Sequence, residues 1–168
     1  MTPETTCCFS GHRPPRLPWG DDETDPRCLA LKTRLAQVLE DAWAQGYRHF
    51  LCGMAQGTDL YFCQAVVDLR ARHPGVTLEA AVPFAGQADR WPEADQHRRL
   101  ALLDQCDLET MVQHTYTPGC MGRRNRYMVD RSSLLIAVYD GIPQGGTMNT
   151  LAYAMRKGLE TVILSVEG

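Results

Sequence analysis

Residues 134–150 read LLIAVYDGIPQGGTMNT, which combines a short apolar run, a glycine-containing loop and the start of a helical pattern. The apolar run Leu134–Tyr139 has the length and composition of a buried strand. Glycines let the backbone approach a ligand closely, and the first turn of the helix that follows presents unpaired N–H groups. The loop Gly145-Gly146-Thr147 therefore predicts a seat for a phosphate group at a helix N-terminus.

A second glycine loop covers residues 53–59, with the sequence GMAQGTD. It follows a strand-like run at residues 48–52 and precedes a helical run at residues 60–72. One such loop is common in α/β proteins, but two in one small domain favour the binding of a nucleotide or a phosphate.

The chain has 168 residues, and we expect residues 1–168 to form one domain. The net charge of −3 gives no general attraction to nucleic acid, so such affinity would need a local patch such as Arg123, Arg124 and Arg126. The seven cysteines lack zinc-site spacing, and the N-terminus lacks a signal-peptide pattern. We expect a cytoplasmic protein with reduced cysteines, no metal site and no membrane-spanning segment.

Strand-like and helical patterns alternate along the chain. Strands are predicted at residues 5–10, 48–52, 76–83, 108–112, 134–139 and 161–164. Helices are predicted around residues 29–42 and at residues 60–72, 93–106, 119–131 and 151–157. Leu29 and Leu100 are among the positions predicted to face inward, and residues 11–26 are predicted to form a long surface loop.

Apolar strands separated by amphipathic helices require a parallel sheet covered on both faces. The fold class is therefore α/β: a Rossmann-like doubly wound, mostly parallel sheet of about six strands with helices on both faces.

In such folds ligands bind outside the carboxyl ends of the strands, where the strand order reverses. The loops after several strands should meet at that edge, beside the helix at residues 119–131. The candidate ligand-binding residues are Gly11, His12, Arg13, Gly53, Gly57, Thr58, Asp59, Arg124, Asn125, Gly145, Gly146 and Thr147.

These residues suit different parts of a nucleotide. Arg124 is a candidate for bidentate pairing with phosphate, and Asn125 for hydrogen bonding on the partly buried face of the same helix. Asp59 suits a ribose hydroxyl or simple capping of its helix. His12 and Asp59 are the candidates for catalysis, although a plain hydrogen bond fits His12 as well. For Trp91, stacking on a base and packing against its own loop both stay open.

Several of these segments together resemble the YpsA-like branch of the SLOG superfamily. The segments are SGHRP at residues 10–14, GMAQGTD at 53–59, VPF at 82–84, YTPGCM at 116–121, RNRYMVD at 124–130 and GGT at 145–147. The resemblance covers nearly the whole chain. It implies a Rossmann-like core and the binding of a nucleotide-related molecule such as NAD or ADP-ribose, with no established reaction.

The superfamily includes the LOG phosphoribohydrolases, which have an arginine on the helix before the penultimate strand and a Pro-Gly-Gly-x-Gly-Thr-x-x-Glu loop. Arg124 matches that arginine by position, and Gly146-Thr147 match the Gly-Thr pair. The glutamate that cleaves the N-glycosidic bond corresponds to Thr150, and a hydroxyl cannot take up the proton or positive charge that a carboxylate accepts. This difference argues against hydrolysis by the LOG mechanism and leaves the question of catalysis open.

The superfamily also includes the DNA-processing protein DprA, whose Gly-x-Asp and Arg-Asn-Arg segments resemble residues 57–59 and 124–126.

Three hypotheses about function follow from the sequence. The leading one is a module that binds or senses a nucleotide-derived ligand such as NAD, ADP-ribose or a nucleoside phosphate. The second is an N-glycosidase that uses Asp59 or His12, and the third is binding of single-stranded DNA, which the acidic balance disfavours. The superfamily further implies a homodimer.

Overall fold

The computed structural model describes residues 1–167, which form five α-helices and six β-strands. The strands are β1 (Thr6–Gly11), β2 (His49–Cys52), β3 (Thr77–Val82), β4 (Leu108–Met111), β5 (Leu134–Tyr139) and β6 (Glu160–Ser165). The helices are α1 (Pro26–Ala44), α2 (Thr58–Arg72), α3 (Glu93–Asp104), α4 (Cys120–Asp130) and α5 (Gly146–Arg156). Strand and helix alternate, as the sequence pattern predicts.

All six strands lie in one parallel sheet with the order β4-β3-β2-β1-β5-β6. The chain first runs outward from β1 to β4 and then returns to β5 on the other side of β1. The order therefore reverses between β1 and β5, and the carboxyl ends of these two strands mark the place where ligands bind in this class of fold.

Two apolar cores cover the two faces of the sheet. One contains Leu35 of α1, Phe62 of α2 and Leu102 of α3, and the other contains Met128 of α4 and Leu151 of α5. Helices on both faces of a parallel sheet confirm the predicted Rossmann-like doubly wound architecture. Within residues 1–167, no helix combines the length and the apolar character needed to cross a bilayer.

Helix α1 shows how the sequence sets the helix ends. The side chain of Asp25 accepts a hydrogen bond from Arg27 N at 2.8 Å, and Pro26 occupies the first turn, where a missing N–H costs nothing. Gly46, with a φ of +104°, follows the helix and lets the chain turn towards β2.

Two leucines predicted to face inward are exposed, so these predictions are wrong. Leu29 is 52% exposed because Cys28, one position earlier, takes the place on the buried stripe of α1. Leu100 is 58% exposed because the buried side of α3 is formed by Arg99 and Leu102 instead. A stripe shifted by one residue still has helical spacing, and therefore spacing alone does not fix which residues face the core.

The predicted surface loop at residues 11–26 is partly buried, which also corrects the sequence interpretation. Leu17 and Trp19 belong to the core, and Trp19 Nε1 donates a hydrogen bond to the hydroxyl of Tyr61 at 3.1 Å. The segment is therefore anchored to α2 and is held against the carboxyl edge of the sheet.

A buried polar network on the α4 side of the sheet surrounds Glu79. Its Oε1 lies 2.9 Å from Nε2 of His49, whose Nδ1 is 2.6 Å from the Thr77 hydroxyl. Its Oε2 accepts hydrogen bonds from the hydroxyls of Thr110 at 2.9 Å and Tyr127 at 2.7 Å. Burial would raise the pKa of Glu79, but the hydrogen bonds from His49, Tyr127 and Thr110 together lower it below its ordinary value.

We expect Glu79→Gln to destabilise the fold by about 2–3 kcal/mol. The glutamine side chain keeps the shape, but its single oxygen cannot accept hydrogen bonds from His49, Thr110 and Tyr127 together. For a chain of this size the melting temperature should fall by roughly 5–10 °C at pH 7. The lowered pKa means that the carboxylate stabilises the fold above its unfolded-state pKa of about 4.3, and this contribution is lost as the pH falls through the folded-state value.

Calorimetric melts of the wild type and Glu79→Gln at pH 7 and pH 3.5 measure this effect, and the gap between them should shrink at the lower pH. Glu160→Gln, at an exposed position on the edge strand β6, is the matched control and should melt at the same temperature as the wild type. A gap that does not change with pH would mean that the charge of Glu79 is not what stabilises the fold.

Candidate functional site

A cleft of about 400 Å³ opens where β1 and β5 end, which is the position predicted from the strand order. We call it the switch-point cleft. Its volume lies within the range of small-molecule sites in proteins. Nine of the predicted site residues line it: Gly11, His12, Arg13, Asp59, Arg124, Asn125, Gly145, Gly146 and Thr147.

The N-terminus of α5 forms one wall of the cleft. Gly145 precedes the helix with φ +95° and ψ 179°, a conformation that a residue with a side chain rarely adopts. The amide groups of the first helical turn have no partner within the helix, and no side chain caps them. Helix α5 begins at Gly146 and not at residue 151, as the sequence pattern predicted. The amides of its first turn therefore belong to residues that line the cleft. They form a potential anion seat.

The Thr147 hydroxyl lies in the same wall and is oriented by His12. Nδ1 of His12 is 3.4 Å from Thr147 Oγ1, and its Nε2 accepts a hydrogen bond from Asp140 N at 3.0 Å. Burial lowers the pKa of His12 despite the nearby Asp140 carboxylate, which favours a neutral ring. A proton on Nδ1 suits the contacts with Thr147 and Asp140 N, whereas a proton on Nε2 suits Asp140 Oδ1, which lies 3.3 Å away. With the proton on Nδ1, His12 donates to Thr147, whose own proton is left for a ligand; with the proton on Nε2, the Thr147 hydroxyl donates to Nδ1.

Arg124 of α4 reaches the floor of the cleft and is only 3% exposed. Its Nε donates to Asn125 Oδ1 at 2.7 Å, and its Nη1 donates to the carbonyls of Gly53 and Ala81. Within residues 1–167 its Nη2 makes no hydrogen bond. Among residues 1–167, Nε of Arg99 is the only fully buried side-chain nitrogen or oxygen without a hydrogen-bond partner. The Nη2 atom of Arg124 is therefore not fully buried, and Arg124 lines the cleft. Burial lowers the pKa of Arg124, but a guanidinium stays charged at neutral pH.

Asp59 is the acidic side chain that lines the cleft, and it also shapes the loop before α2. Its Oδ2 accepts a hydrogen bond from Ala55 N at 3.0 Å, next to Met54, whose φ of +60° is unusual for a residue with a side chain. Burial raises the pKa of Asp59, while Arg124 and the Ala55 amide oppose the shift. Its other oxygen, Oδ1, makes no hydrogen bond within residues 1–167 and is available to a ligand hydroxyl.

Three of the predicted site residues, Gly53, Gly57 and Thr58, do not line the cleft. Thr58 donates to the carbonyl of His12 twice, from its amide at 3.2 Å and from its hydroxyl at 2.8 Å. A Cβ on Gly57 would meet Pro14, and one on Gly53 would meet the Arg124 guanidinium. The second glycine loop therefore binds the protein's own backbone and holds the segment after β1 in place.

The sequence reasoning did not identify Arg16 and Asp140, which border the cleft. Arg16 donates from Nη2 to both carboxylate oxygens of Asp140 at 2.8 Å and from Nε to Oδ2 at 3.1 Å, and its Nη1 donates to Gln144 O at 2.9 Å. These contacts tie the segment after β1 to the loop before α5. No local sequence pattern indicates a pair of residues so far apart in the chain. Their positions after the central strands β1 and β5 are the signal that could have identified both.

Thr150 lies outside the cleft lining and cannot act as a catalytic acid there. Its hydroxyl donates to Gly146 O at 2.9 Å and accepts from Asn125 Nδ2 at 2.9 Å. Asn125 thus bridges Arg124 and α5, consistent with the partly buried, hydrogen-bonding position predicted for it. Within residues 1–167, no group of three or more histidine, cysteine, aspartate or glutamate side chains is arranged to hold a metal ion.

A parallel doubly wound sheet, with a cleft at its switch point bordered by a helix N-terminus and a buried arginine, defines a Rossmann-like α/β domain. The sequence model of the YspA SLOG family matches residues 7–165. The chain belongs to that family, which confirms the resemblance stated from its motifs.

Relatives in Bacillus support the same assignment. The chain is 32% identical to the uncharacterized SPbeta prophage-derived protein YoqJ of Bacillus subtilis strain 168, over 79% of this chain and 84% of YoqJ. It is 26% identical to the UPF0398 protein YpsA of the same strain, over 89% of this chain and 83% of YpsA. It is also 26% identical to a UPF0398 protein of Bacillus velezensis, over 76% of this chain and 69% of that protein.

Proposed function

We propose that the switch-point cleft binds a phosphate-bearing, nucleotide-derived small molecule such as ADP-ribose or NAD. The observation that carries the proposal is the buried guanidinium of Arg124, whose Nη2 is left without a protein partner in a cleft that also holds the N-terminus of α5. A buried charge is costly unless a counter-charge and hydrogen bonds accompany it. Asp59 is close enough to influence Arg124 but forms no ion pair with it, and an anionic ligand would supply the missing partner.

The charged side chains of the cleft favour the binding of an anionic ligand. Arg13, Arg16 and Arg124 line it, together with the carboxylate of Asp59. Because Arg16 is paired with Asp140, Arg13 and Arg124 supply two positive charges against the one negative charge of Asp59. The overall net charge is −3, so this local excess of positive charge departs from the average of the chain. Amide groups at a helix N-terminus add a favourable interaction with a phosphate of about 0.3–1 kcal/mol.

The position of Asp59 supports a sugar beside the phosphate. A carboxylate would repel a phosphate directly, but its free Oδ1 can accept a hydrogen bond from a ribose hydroxyl. A ligand that carries both groups, as nucleotides and ADP-ribose do, satisfies Arg124 and Asp59 together. Inorganic phosphate would leave Asp59 without a partner.

N-glycosidase activity is the second candidate, and the position of Asp59 is the observation in its favour. Asp59 lines the cleft and burial raises its pKa, two properties expected of a carboxyl group that stabilises charge or transfers a proton in a reaction. Thr150 supplies no alternative, because its hydroxyl is engaged outside the cleft.

Calorimetric titration of the wild-type protein tests the leading proposal. The panel is ADP-ribose, NAD, AMP, ribose 5-phosphate and, as the phosphate-free control, adenosine. We expect ADP-ribose or NAD to bind in the micromolar range or tighter, and adenosine to bind at least about 30-fold more weakly than AMP, because a charged hydrogen bond with Arg124 contributes about 2 kcal/mol.

The same samples, analysed by chromatography after long incubation, show whether any N-glycosidic bond is cleaved. Heat of binding with intact ligand supports a binding or sensing module, and release of free base supports the N-glycosidase. Equal binding of adenosine and AMP, or the absence of heat with the whole panel, would contradict the proposal.

A further inference from the structure

A second, smaller pocket extends the switch-point cleft towards β2 and β3. Arg13, Ala55 and Met121 line both cavities, so the two are adjacent. Gln56, Gln87 and Trp91 complete the smaller one, which we call the Trp91 pocket. It measures about 40 Å³ and is therefore too shallow to enclose a ring system. A flat group would lie against it, with one face turned to the solvent.

The chemistry of the Trp91 pocket differs from that of the phosphate end. Arg13 and Met121 are common to both, but the main cleft adds Arg16, Arg124 and helix amides, whereas the Trp91 pocket adds an indole and two primary amides. Gln56 Nε2 donates to Asp95 at 2.8 Å, and within the described part of the chain, residues 1–167, its Oε1 accepts no hydrogen bond. An aromatic face beside an amide is the combination that recognises a heteroaromatic base by stacking and by one edge hydrogen bond.

The Trp91 pocket is also pre-organised. Gln87 donates to Gly53 O at 3.0 Å and accepts from Arg99 Nη2 at 3.0 Å, and the Arg99 guanidinium lies 6.0 Å from the centre of the Trp91 ring. The carbonyl of Gly53 also accepts a hydrogen bond from Arg124. One carbonyl group therefore connects the Trp91 pocket to the arginine at the phosphate end, and the distance between the two ends is held by protein contacts.

We propose that the Trp91 pocket holds the nucleobase of the ligand, with Trp91 stacking on the base and Gln56 Oε1 accepting a hydrogen bond from its edge. This inference rests on the proposed function, since it assigns the two ends of one ligand. The phosphate lies at the α5 seat and Arg124, the ribose lies beside Asp59, and the base lies against Trp91. An exocyclic amino group, as in adenine, is the edge group that an amide oxygen prefers.

AMP and ribose 5-phosphate test the inference, because AMP carries adenine where ribose 5-phosphate carries the anomeric hydroxyl. In the wild type we expect AMP to bind about 10- to 100-fold more tightly than ribose 5-phosphate, the range measured for stacking on one aromatic side chain. Trp91→Ala should remove most of this difference by weakening AMP alone. AMP should also quench the tryptophan fluorescence of the wild type, and this quenching should be absent in Trp91→Phe.

Trp43→Phe is the matched control, because that indole stacks on His73 at a centroid distance of 3.8 Å and lines neither cavity. If Trp91→Ala does not fold, Gln56→Ala replaces it, with an expected loss of about fivefold for AMP and none for ribose 5-phosphate. Equal affinities of the wild type for the two ligands, or an equal loss of both in the variants, would overturn the base assignment and leave the proposed function standing. If neither ligand binds and ADP-ribose and NAD give no heat either, the proposed function itself is refuted.

Discussion

Gly146→Asp is expected to abolish the binding of phosphate-bearing ligands and at the same time to make the fold slightly more stable. A Cβ at Gly146 would meet no atom within 4 Å, so the new side chain fits without disturbing its neighbours. A carboxylate in the first turn of α5 interacts favourably with the helix dipole, which should add about 0.3–1 kcal/mol to stability. The same charge occupies the anion seat and repels a phosphate there.

The expected loss of affinity follows from Coulomb's law. Two like charges 4 Å apart near a protein surface repel by up to about 4 kcal/mol, so we expect a loss of about 10²- to 10³-fold for AMP or ADP-ribose. Gly146→Asn has nearly the same shape without the charge and should weaken binding by less than about tenfold. Titration calorimetry gives the affinities, and thermal melts give the stabilities. Similar losses for both variants would mean that the anion does not lie at the N-terminus of α5.

The fold could be predicted from the sequence because its determinants are local. Apolar runs such as Leu134–Tyr139, the amphipathic stripe of α1 and the glycines after helices each report on a few neighbouring residues. Once strands and helices alternate, the parallel sheet and the location of the ligand edge follow from general rules of chain connection. For the same reason most of the candidate residues do line one cleft.

The site could be predicted only in part, because a glycine loop at a helix start has the same sequence signature whatever its amides contact. The amides before α5 face an open cleft, whereas the Thr58 amide at the start of α2 donates to the carbonyl of His12. The contacts of Arg16 with Asp140 join residues 124 positions apart. Such contacts depend on how loops pack after the sheet has formed, and no short-range pattern encodes them.

Arg124→Gln should separate the two functions that the structure gives to this side chain. Its Nε and Nη1 support the protein, and its Nη2 is left for the ligand. We expect the affinity for AMP and ADP-ribose to fall by about 30- to 150-fold, which corresponds to the loss of a charge-assisted hydrogen bond of about 2–3 kcal/mol. Arg126→Gln, which changes an exposed arginine on the same helix, should bind these ligands like the wild type.

Because Arg124 also donates to Gly53 O, the variant will lose stability, and affinities must be measured well below its melting temperature. Arg124→Lys distinguishes the two roles: a lysine keeps the positive charge, but it cannot donate to Asn125, Gly53 and a phosphate in the planar arrangement of a guanidinium. An intermediate affinity for Arg124→Lys would indicate that charge and geometry both matter. Unchanged affinity in folded Arg124→Gln would show that the buried guanidinium only supports the floor of the cleft, and the phosphate contact would then have to come from Arg13 or Arg16 at its rim.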